Sequence, residues 1–574
     1  MTGSTDPNKH IADIVEGSLE EDDYGCDAAE LGGDDYGGLP PGITLDMIAG
    51  NAVLDQNDTD NARRLLNLYG DRLLNVNQVG MHFWDGRRWE FEGGDHEAER
   101  CAQQTAKMIK LEHRYLPVPE IVRIQIERAA PLKAREEESL SAEEKMVLAL
   151  GAAAETALEK RRAGRVKFGI SCGNRARTVA MIQQAVPHIT VTPAALDADP
   201  LKCNVQNGTL VFEVKEIEEE DLECPDPDVV RMVRRKVASV RLDPHRREDR
   251  ISKMAACSYD PKATAPRFLA FMERFQPDDA QRRYLQVAAG RGLLGGASTQ
   301  CLIFLYGDGA NGKSVWMETM ARIIGDYAGR LKPESITGTQ EQAGDRPNPD
   351  FARLAGKRFV AIAELPRGSP LREGLIKTVT GSEPIPVRHL NKGFFDLIPE
   401  LIPFMSGNEL PQIGGLDKGI WRRMKFLHWP VTLTEAEQRP LPEVVGEFME
   451  EAAGVLNWLI EGARIFLTEG LLEPPAVRGL TQSHREDSDP VGAFIRDCVK
   501  PLPGAQVQAR AMYTAFAKYC ASNAIKPWSE TSFSKAMKQK GFIREDKRIR
   551  QWMDVTLDWI PEGDPQPPHR EDEH

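Results

Sequence analysis

A chain of 574 residues, 41% hydrophobic and 28% charged, is too long for one core and too polar for a membrane-embedded protein, so about three or four soluble domains are expected. The net charge of −14 argues against a protein that coats nucleic acid, because phosphate binding draws on clustered Lys and Arg. No apolar run approaches the roughly 20 residues that span a bilayer, and the start MTGSTDPNKHIADIVEG lacks a signal peptide's basic and apolar regions. The nine cysteines, of which Cys203 and Cys224 are the closest pair, form neither a zinc pattern nor a disulfide framework. A cytoplasmic protein with reduced thiols is expected.

Residues 1–42 carry eleven acids against one base, Lys9, and so supply −10 of the −14. Such a Gly-, Asp- and Glu-rich segment cannot bury enough apolar surface to offset chain entropy, and it reads as a disordered tail. A first folded domain is expected over 43–250. In it NARRLLNLYGDRLLNVNQVGMHFWDGRRWEF reads as a helix and two short strands around Trp84-Asp85-Gly86. Residues 95–190 are helical in pattern, and the charged stretches AREEESLSAEEK and KRRAGRVK read as solvated helix faces. Asp197 and Asp199 could hold a catalytic metal. However, Pro200 follows directly, no third acid or His supports them, and Asn207-Gly208 looks like a hairpin turn, so the structural reading is preferred.

The second domain is expected over 251–475, where two amphipathic helices, RFLAFMERF and QRRYLQVAAGRGLLGG, lead into TQCLIFLYGDGANGKSVWMETMARIIG. Cys301 to Tyr306 is an apolar run of strand length. Gly307, Asp308, Gly309, Ala310, Asn311, Gly312, Lys313 and Ser314 then fit G-x-x-x-x-G-K-[ST], and Trp316, Met320, Ile323 and Ile324 recur at helical spacing. That order of strand, glycine loop and helix places backbone N–H groups around a triphosphate, with Lys313 on the β- and γ-phosphates and Ser314 on Mg²⁺. ATP is the expected ligand. Phe359 to Ala363 is a second buried strand, and Glu364 at its carboxyl end is expected near the metal or the attacking water. LIKTVTGSEPIPVRHLNKGFFDLIP carries Arg388, His389 and Lys392 at a loop tip suited to phosphates. A third strand ends at Asn408, an amide able to orient water or sense a γ-phosphate, and Arg422 and Arg423 precede a fourth. An Arg reaching a neighbour's γ-phosphate would stabilise transition-state charge.

Residues 476–560 read as three helices followed by two strands around a charged turn, the order of a winged helix. Between Lys526 and Arg550 eight basic residues stand against three acids. DNA phosphate is one partner for that face and another protein is the alternative. Residues 561–574 read as a polar disordered tail.

Together GDGANGKS, the Glu364 strand, LIKTVTGSEPIPVR, SGNELP and GIWRRMKF resemble the ordered motif set of superfamily 3 helicases, and more narrowly the phage/plasmid and poxvirus-type primase-helicase family. EEAAGVLNWLIEGARIFLTEG, WDGRRWE and LDADPLKCNVQNGTL are similar to further stretches of that family. The resemblance implies an α/β fold: a P-loop, AAA+-like superfamily 3 core, preceded by a mixed helical/β helicase-associated domain and followed by a winged-helix-like domain. It further implies a ring, usually a hexamer, with ATP and Mg²⁺ between subunits and single-stranded DNA through the centre. In that frame Lys313, Ser314 and Glu364 serve phosphate, metal and catalysis. Asn408 is the sensor, Arg422 or Arg423 the trans-acting finger, and Lys392, with His389, lies on the DNA-gripping hairpin, beside the Arg388 already read as suited to phosphates. Ala363 departs from the pattern, because many phosphate-loop ATPases place an acid there. A primase half is not recognisable, so a separate primase or polymerase is expected. The activity expected is unwinding of forked DNA in a bacterial or phage-infected cell; an ATP-regulated loader or initiation scaffold is the alternative, and a motor acting on another polymer fits less well.

Overall fold

Five short runs build the sheet that positions everything else. In the computed structural model, which describes residues 38–220, 232–296, 299–338, 349–365, 370–388, 394–414, 417–546 and 549–558, these runs are β1 (Leu302–Tyr306), β2 (Ala328–Leu331), β3 (Phe359–Ile362), β4 (Ile402–Gly407) and β5 (Met424–His428). They lie in the order β5-β1-β4-β3-β2, and every pairing is parallel. The inner strands of a parallel sheet are covered on both faces, which explains the near-continuous hydrophobicity of β1, β3 and β4, whereas the edge strands carry Arg330 in β2 and Lys425 and His428 in β5. Along β1 the faces alternate. Ile303 and Leu305 join one cluster with Trp316, Phe359, Phe404 and Trp429, while Leu302 and Phe304 join the other with Val360, Ile362 and Phe426.

On the first face lie α1 (Lys313–Ile324) and the helices Pro266–Phe275, Asp279–Gly290, Leu441–Glu450 and Ala452–Glu469. On the second lie Glu373–Val379 and Lys418–Arg423. The helix Pro475–Asp487 covers β5, where the Thr481 hydroxyl accepts the Phe426 N–H at 3.3 Å. The two helices expected ahead of the first strand are present, and the second packs closely on Ala452–Glu469. A Cβ on Gly290 would lie 2.4 Å from the Leu459 carbonyl oxygen.

The chain divides into two compact units, residues up to Leu68 with Gln103–Thr178, and Tyr69–Ala102 with Val179 onward. The first is helical, as its pattern predicts, and is dominated by the helix Ala142–Cys172, which starts at a Ser141/Glu144 capping box. One expectation for it is corrected. Lys160, Arg161 and Lys167 face solvent, but Arg165 of the same basic run turns inward to pair with Glu112 beside Arg64. All three side chains are buried, and burial raises the Glu112 carboxyl against the pull of the two guanidinium groups.

In the second unit the turn near Asp85 joins strands Gly80–Trp84 and Trp89–Glu90, and a further strand, Leu73–Val76, completes the meander. The expected hairpin is present but its turn is Gln206-Asn207, one residue earlier than expected, because Gly208 already pairs with Val205; the second strand runs on to Glu220 and finds a partner in Met232–Asp243. Asp197 accepts the Ser252 N–H at 2.8 Å and its hydroxyl at 2.5 Å, and Asp199 accepts the Leu201 N–H at 3.0 Å. Both carboxylates thus make the local hydrogen bonds that a structural role requires. Near the C-terminus the helices Pro490–Cys498, Ala509–Ser522 and Glu530–Gln539 pack with strands Arg544–Asp546 and Arg550–Leu557. The pattern did not foretell the strand Val499–Gln508, which pairs with Arg550–Leu557 across a register shift. Of the expected tail at 1–42, residues 1–37 lie outside the described residues, as does the whole of that at 561–574. No helix among the described residues is long and apolar enough to cross a membrane.

Candidate active site

Ligands of open α/β sheets bind at the carboxyl ends of the strands, and there β1, β3 and β4 bring three predicted side chains together. The loop after β1 has two tight places. Gly307 (φ 154°) is so close to the Trp429 carbonyl oxygen that a Cβ would lie 2.3 Å from it, and Gly312 is left-handed (φ 82°) just before α1 begins at Lys313. Ala310 is also left-handed (φ 55°), a conformation that costs a non-glycine residue about 1–2 kcal/mol. It is fastened there by its carbonyl, which accepts the Leu433 N–H at 2.8 Å.

Lys313 is 5% exposed. Its ammonium donates to the carbonyl oxygens of Gly307 at 2.5 Å and Asp308 at 3.3 Å, and to Asn408 Oδ1 at 3.3 Å. Asn408 in turn donates through Nδ2 to the Glu364 carboxylate, so one amide at the end of β4 joins the lysine to the acid at the end of β3. Burial draws the Lys313 ammonium down to about 8, against the opposing pull of Glu364 and Asp308. No carboxylate stands within ion-pair distance of it among the described residues. Asn311 is 3% exposed, and its Nδ2 is buried without a hydrogen-bond partner. Ser314 on the first turn of α1 and Glu364 are both exposed.

These groups line a cavity of about 590 Å³. Its far wall was not foreseen as functional. Arg267, Phe271 and Arg274 of the helix Pro266–Phe275 line it together with Val444, Phe448 and Arg439. The signal was present, since positions 267, 271 and 274 share a helix face, but the segment reads equally well as packing. The three arginines are committed to acids: Arg267 to Glu450 and Glu451, Arg274 to Glu437, Arg439 to Glu443 and Glu447. A desolvated cation with neutral partners and an orphaned buried N–H, beside a cavity lined by residues 309–314, are groups chemically suited to an anion with several oxygens.

Other predicted residues stand elsewhere. Met424 pairs with Leu302 and His428 with Tyr306, so Arg422 and Arg423, just before β5, lie at the opposite edge of the sheet from the 307–314 loop. Four residues of parallel strand, roughly 13 Å, separate the two edges. Arg422 is exposed and donates to Gln300 Oε1 at 3.3 Å. Arg423 is half-buried and donates to the Gly419 carbonyl at 3.1 Å. Arg388 ends the strand Ile385–Arg388 of a two-stranded hairpin. His389 and Lys392 lie outside the described residues.

Comparison with known proteins adds to this geometry. Residues 62–277 match the family described as D5 N terminal like, and residues 486–562 match that described as Poxvirus D5 protein-like. "Putative helicase 022R" of Frog virus 3 (isolate Goorha) is 25% identical over 284 residues, which cover 46% of this chain and 29% of that protein. A protein of African swine fever virus named as a putative primase is 25% identical over 261 residues, 42% of this chain and 26% of the relative. The match thus spans well under a third of these relatives' length. Among solved structures, the apo C-terminal region of NrS-1 aligns with 56% of this chain and 93% of its own at 10% identity and a TM-score of 0.33, a likeness too loose to carry weight. With both D5-type domains in the order expected and relatives named as helicases and primases of large DNA viruses, the chain belongs to the phage/plasmid and poxvirus-type primase-helicase family.

Proposed function

We propose that this chain is an ATP-dependent DNA helicase of the superfamily 3 type, with a P-loop, AAA+-like core that forms a ring, moves on single-stranded DNA and separates forked duplex during replication. The observation that carries this reading is the side-chain relay Lys313–Asn408–Glu364 at the carboxyl edge of a β5-β1-β4-β3-β2 parallel sheet. It ties the cation that meets phosphate to the acid that acts on water, which is the coupling a motor needs.

In the proposed mechanism the loop amides from Gly307 to Ser314 cradle the ATP phosphates, and Lys313 leaves its carbonyl partners for the β- and γ-oxygens. The orphaned Asn311 Nδ2 is a further donor for that anion. Ser314 and Glu364 line one cavity and offer hard oxygen donors, a set that fits Mg²⁺. Bound there, the metal would neutralise charge on the β- and γ-phosphates. Glu364 polarises the attacking water, and Asn408, holding both Lys313 and Glu364, reports whether the γ-phosphate is present. Arg422 or Arg423 belongs to the next subunit's site, since each lies at the wrong edge of the sheet for its own. The exposed guanidinium of Arg422 makes it the first choice. Arg388 is assigned to the DNA path, and a separate primase or polymerase is the expected partner in the cytoplasm of the replicating cell.

The decisive experiment is ATP-dependent unwinding of a forked duplex by the full chain, with Lys313→Ala as the control. Unwinding that disappears in the variant supports the motor. ATP-dependent assembly on single strands with no unwinding would replace it with a loader.

A further inference from the structure

The hairpin of strands Ile385–Arg388 and Phe394–Leu397 pairs Ile385 with Leu397, Pro386 with Asp396, Val387 with Phe395 and Arg388 with Phe394. Side chains alternate across a pleated strand. One face is therefore apolar and packed: Val387 and Leu397 are buried in the second core cluster, with Ile385 and Phe395 against it. The other face carries Pro386 and Asp396 and then, nearer the hairpin end, Arg388 and Phe394. Phe394 is 58% exposed, and the Arg388 guanidinium carbon lies 5.4 Å from its ring centroid. Arg388 is itself exposed and has no ion-pair partner among the described residues. The register thus holds a large aromatic ring in water with a cation on its face, while an equally large ring one residue later is tucked into the core.

We propose that Phe394 and Arg388 form a stacking contact for single-stranded DNA, in which the ring packs on a nucleobase and the guanidinium meets the adjoining phosphate. This rests on the DNA-motor reading above and deepens it. Every base offers a π-face, so one exposed ring serves any sequence. An Arg lying over the ring matches the alternation of flat base and charged phosphate better than it matches an apolar protein surface, which would have to desolvate the guanidinium. Asp396 shares the exposed face one step farther from the hairpin end, and its repulsion confines the phosphate to the Arg388 side.

The test is the affinity of the full chain, with a non-hydrolysable ATP analogue, for a labelled thymidine oligomer and for an abasic oligomer of equal length, read by fluorescence anisotropy. Phe394→Ala and Phe394→Leu should each weaken thymidine binding roughly tenfold and leave abasic binding where it was, whereas Phe394→Tyr should retain the wild-type preference. If Phe394→Leu binds thymidine as well as wild type does, the ring acts only as an apolar surface and the stacking proposal fails. It also fails, with the motor reading intact, if all three variants discriminate bases from abasic sites as wild type does. A wild-type protein that binds neither oligomer overturns both.

Discussion

Lys313, Arg422 and Arg423 around the parallel sheet and Lys538, Lys540, Arg544 and Arg550 of the 490–558 region carry the same charge in opposite settings. The first three have neutral partners: carbonyl oxygens, the Asn408 amide and the Gln300 amide. Of the others, Lys540 is paired with Asp489, while Lys538, Arg544 and Arg550 lie within 3.5, 2.8 and 4.0 Å of Asp546. Arg544's hydrogen bond holds the Asp546 carboxyl below its usual range. Cations already facing carboxylates offer a nucleic acid less than their number promises, and cations facing only dipoles keep their field for a ligand. Available charge is a property of partners rather than of counts.

The largest effect that would break this contrast is on ATP hydrolysis. Arg422→Ala is expected to lower the rate roughly a thousandfold while ATP binding persists, because the side chain completes a neighbour's site. Mixing it with Lys313→Ala protein should restore part of the rate, since some interfaces then contain an intact lysine and an intact arginine. A fully active Arg422→Ala moves the role to Arg423. If both variants hydrolyse ATP normally, a cation with neutral partners at that edge has no catalytic use.

The next effect is on pH dependence. Burial has drawn Lys313 from the ordinary 10.5 down to about 8, and an anion binds its charged form. As pH rises through about 8 the free protein loses this proton while the complex keeps it, so ATP affinity should fall by up to about tenfold per pH unit. The stability of the ligand-free fold moves the other way. Between about 8 and 10.5 the unfolded lysine binds the proton and the folded one does not, so this group favours folding increasingly as pH rises. Equilibrium titration with a fluorescent ATP analogue between pH 7 and 9.5 measures the first effect, and a flat profile would mean that the lysine's charge does not hold the ligand.

The residues of the 307–314 loop, Glu364 and Asn408 were legible because a buried parallel strand writes itself as a continuous apolar run, and the residue just past its end falls at the ligand edge. What stayed hidden needed a partner distant in sequence. The Asn408 relay joins two strand ends 44 positions apart. The run EVKEIEEE does not read as a strand, since Glu is poor in sheets; it becomes one through Glu218–Arg234 and Glu219–Arg235 pairs at 3.2 Å across the hairpin. Val499–Gln508 hides behind two prolines and a glycine, tolerable because it is an edge strand with an irregular register. Arg165 looked like surface because Glu112 is 53 residues away.

The same blindness affects the basic window from Lys526 to Arg550 and leads to the smallest expected effect. Lys540's acid, Asp489, lies outside that window. Lys547 and Arg548 lie outside the described residues, while Lys526 and Lys535 are exposed with no ion-pair partner among the described residues. If this region meets DNA phosphate, Lys535→Ala should reduce the steepness of the salt dependence of binding by about 0.7–0.9, the value of one released counterion. Lys538→Ala should change it less, because Asp546 already competes for that ammonium and its loss is partly offset. Duplex binding titrated from 50 to 200 mM salt separates the two. Equal slopes in both variants would mean that an exposed ion pair screens nothing from DNA, and a wild-type slope in both would assign the face to a protein partner.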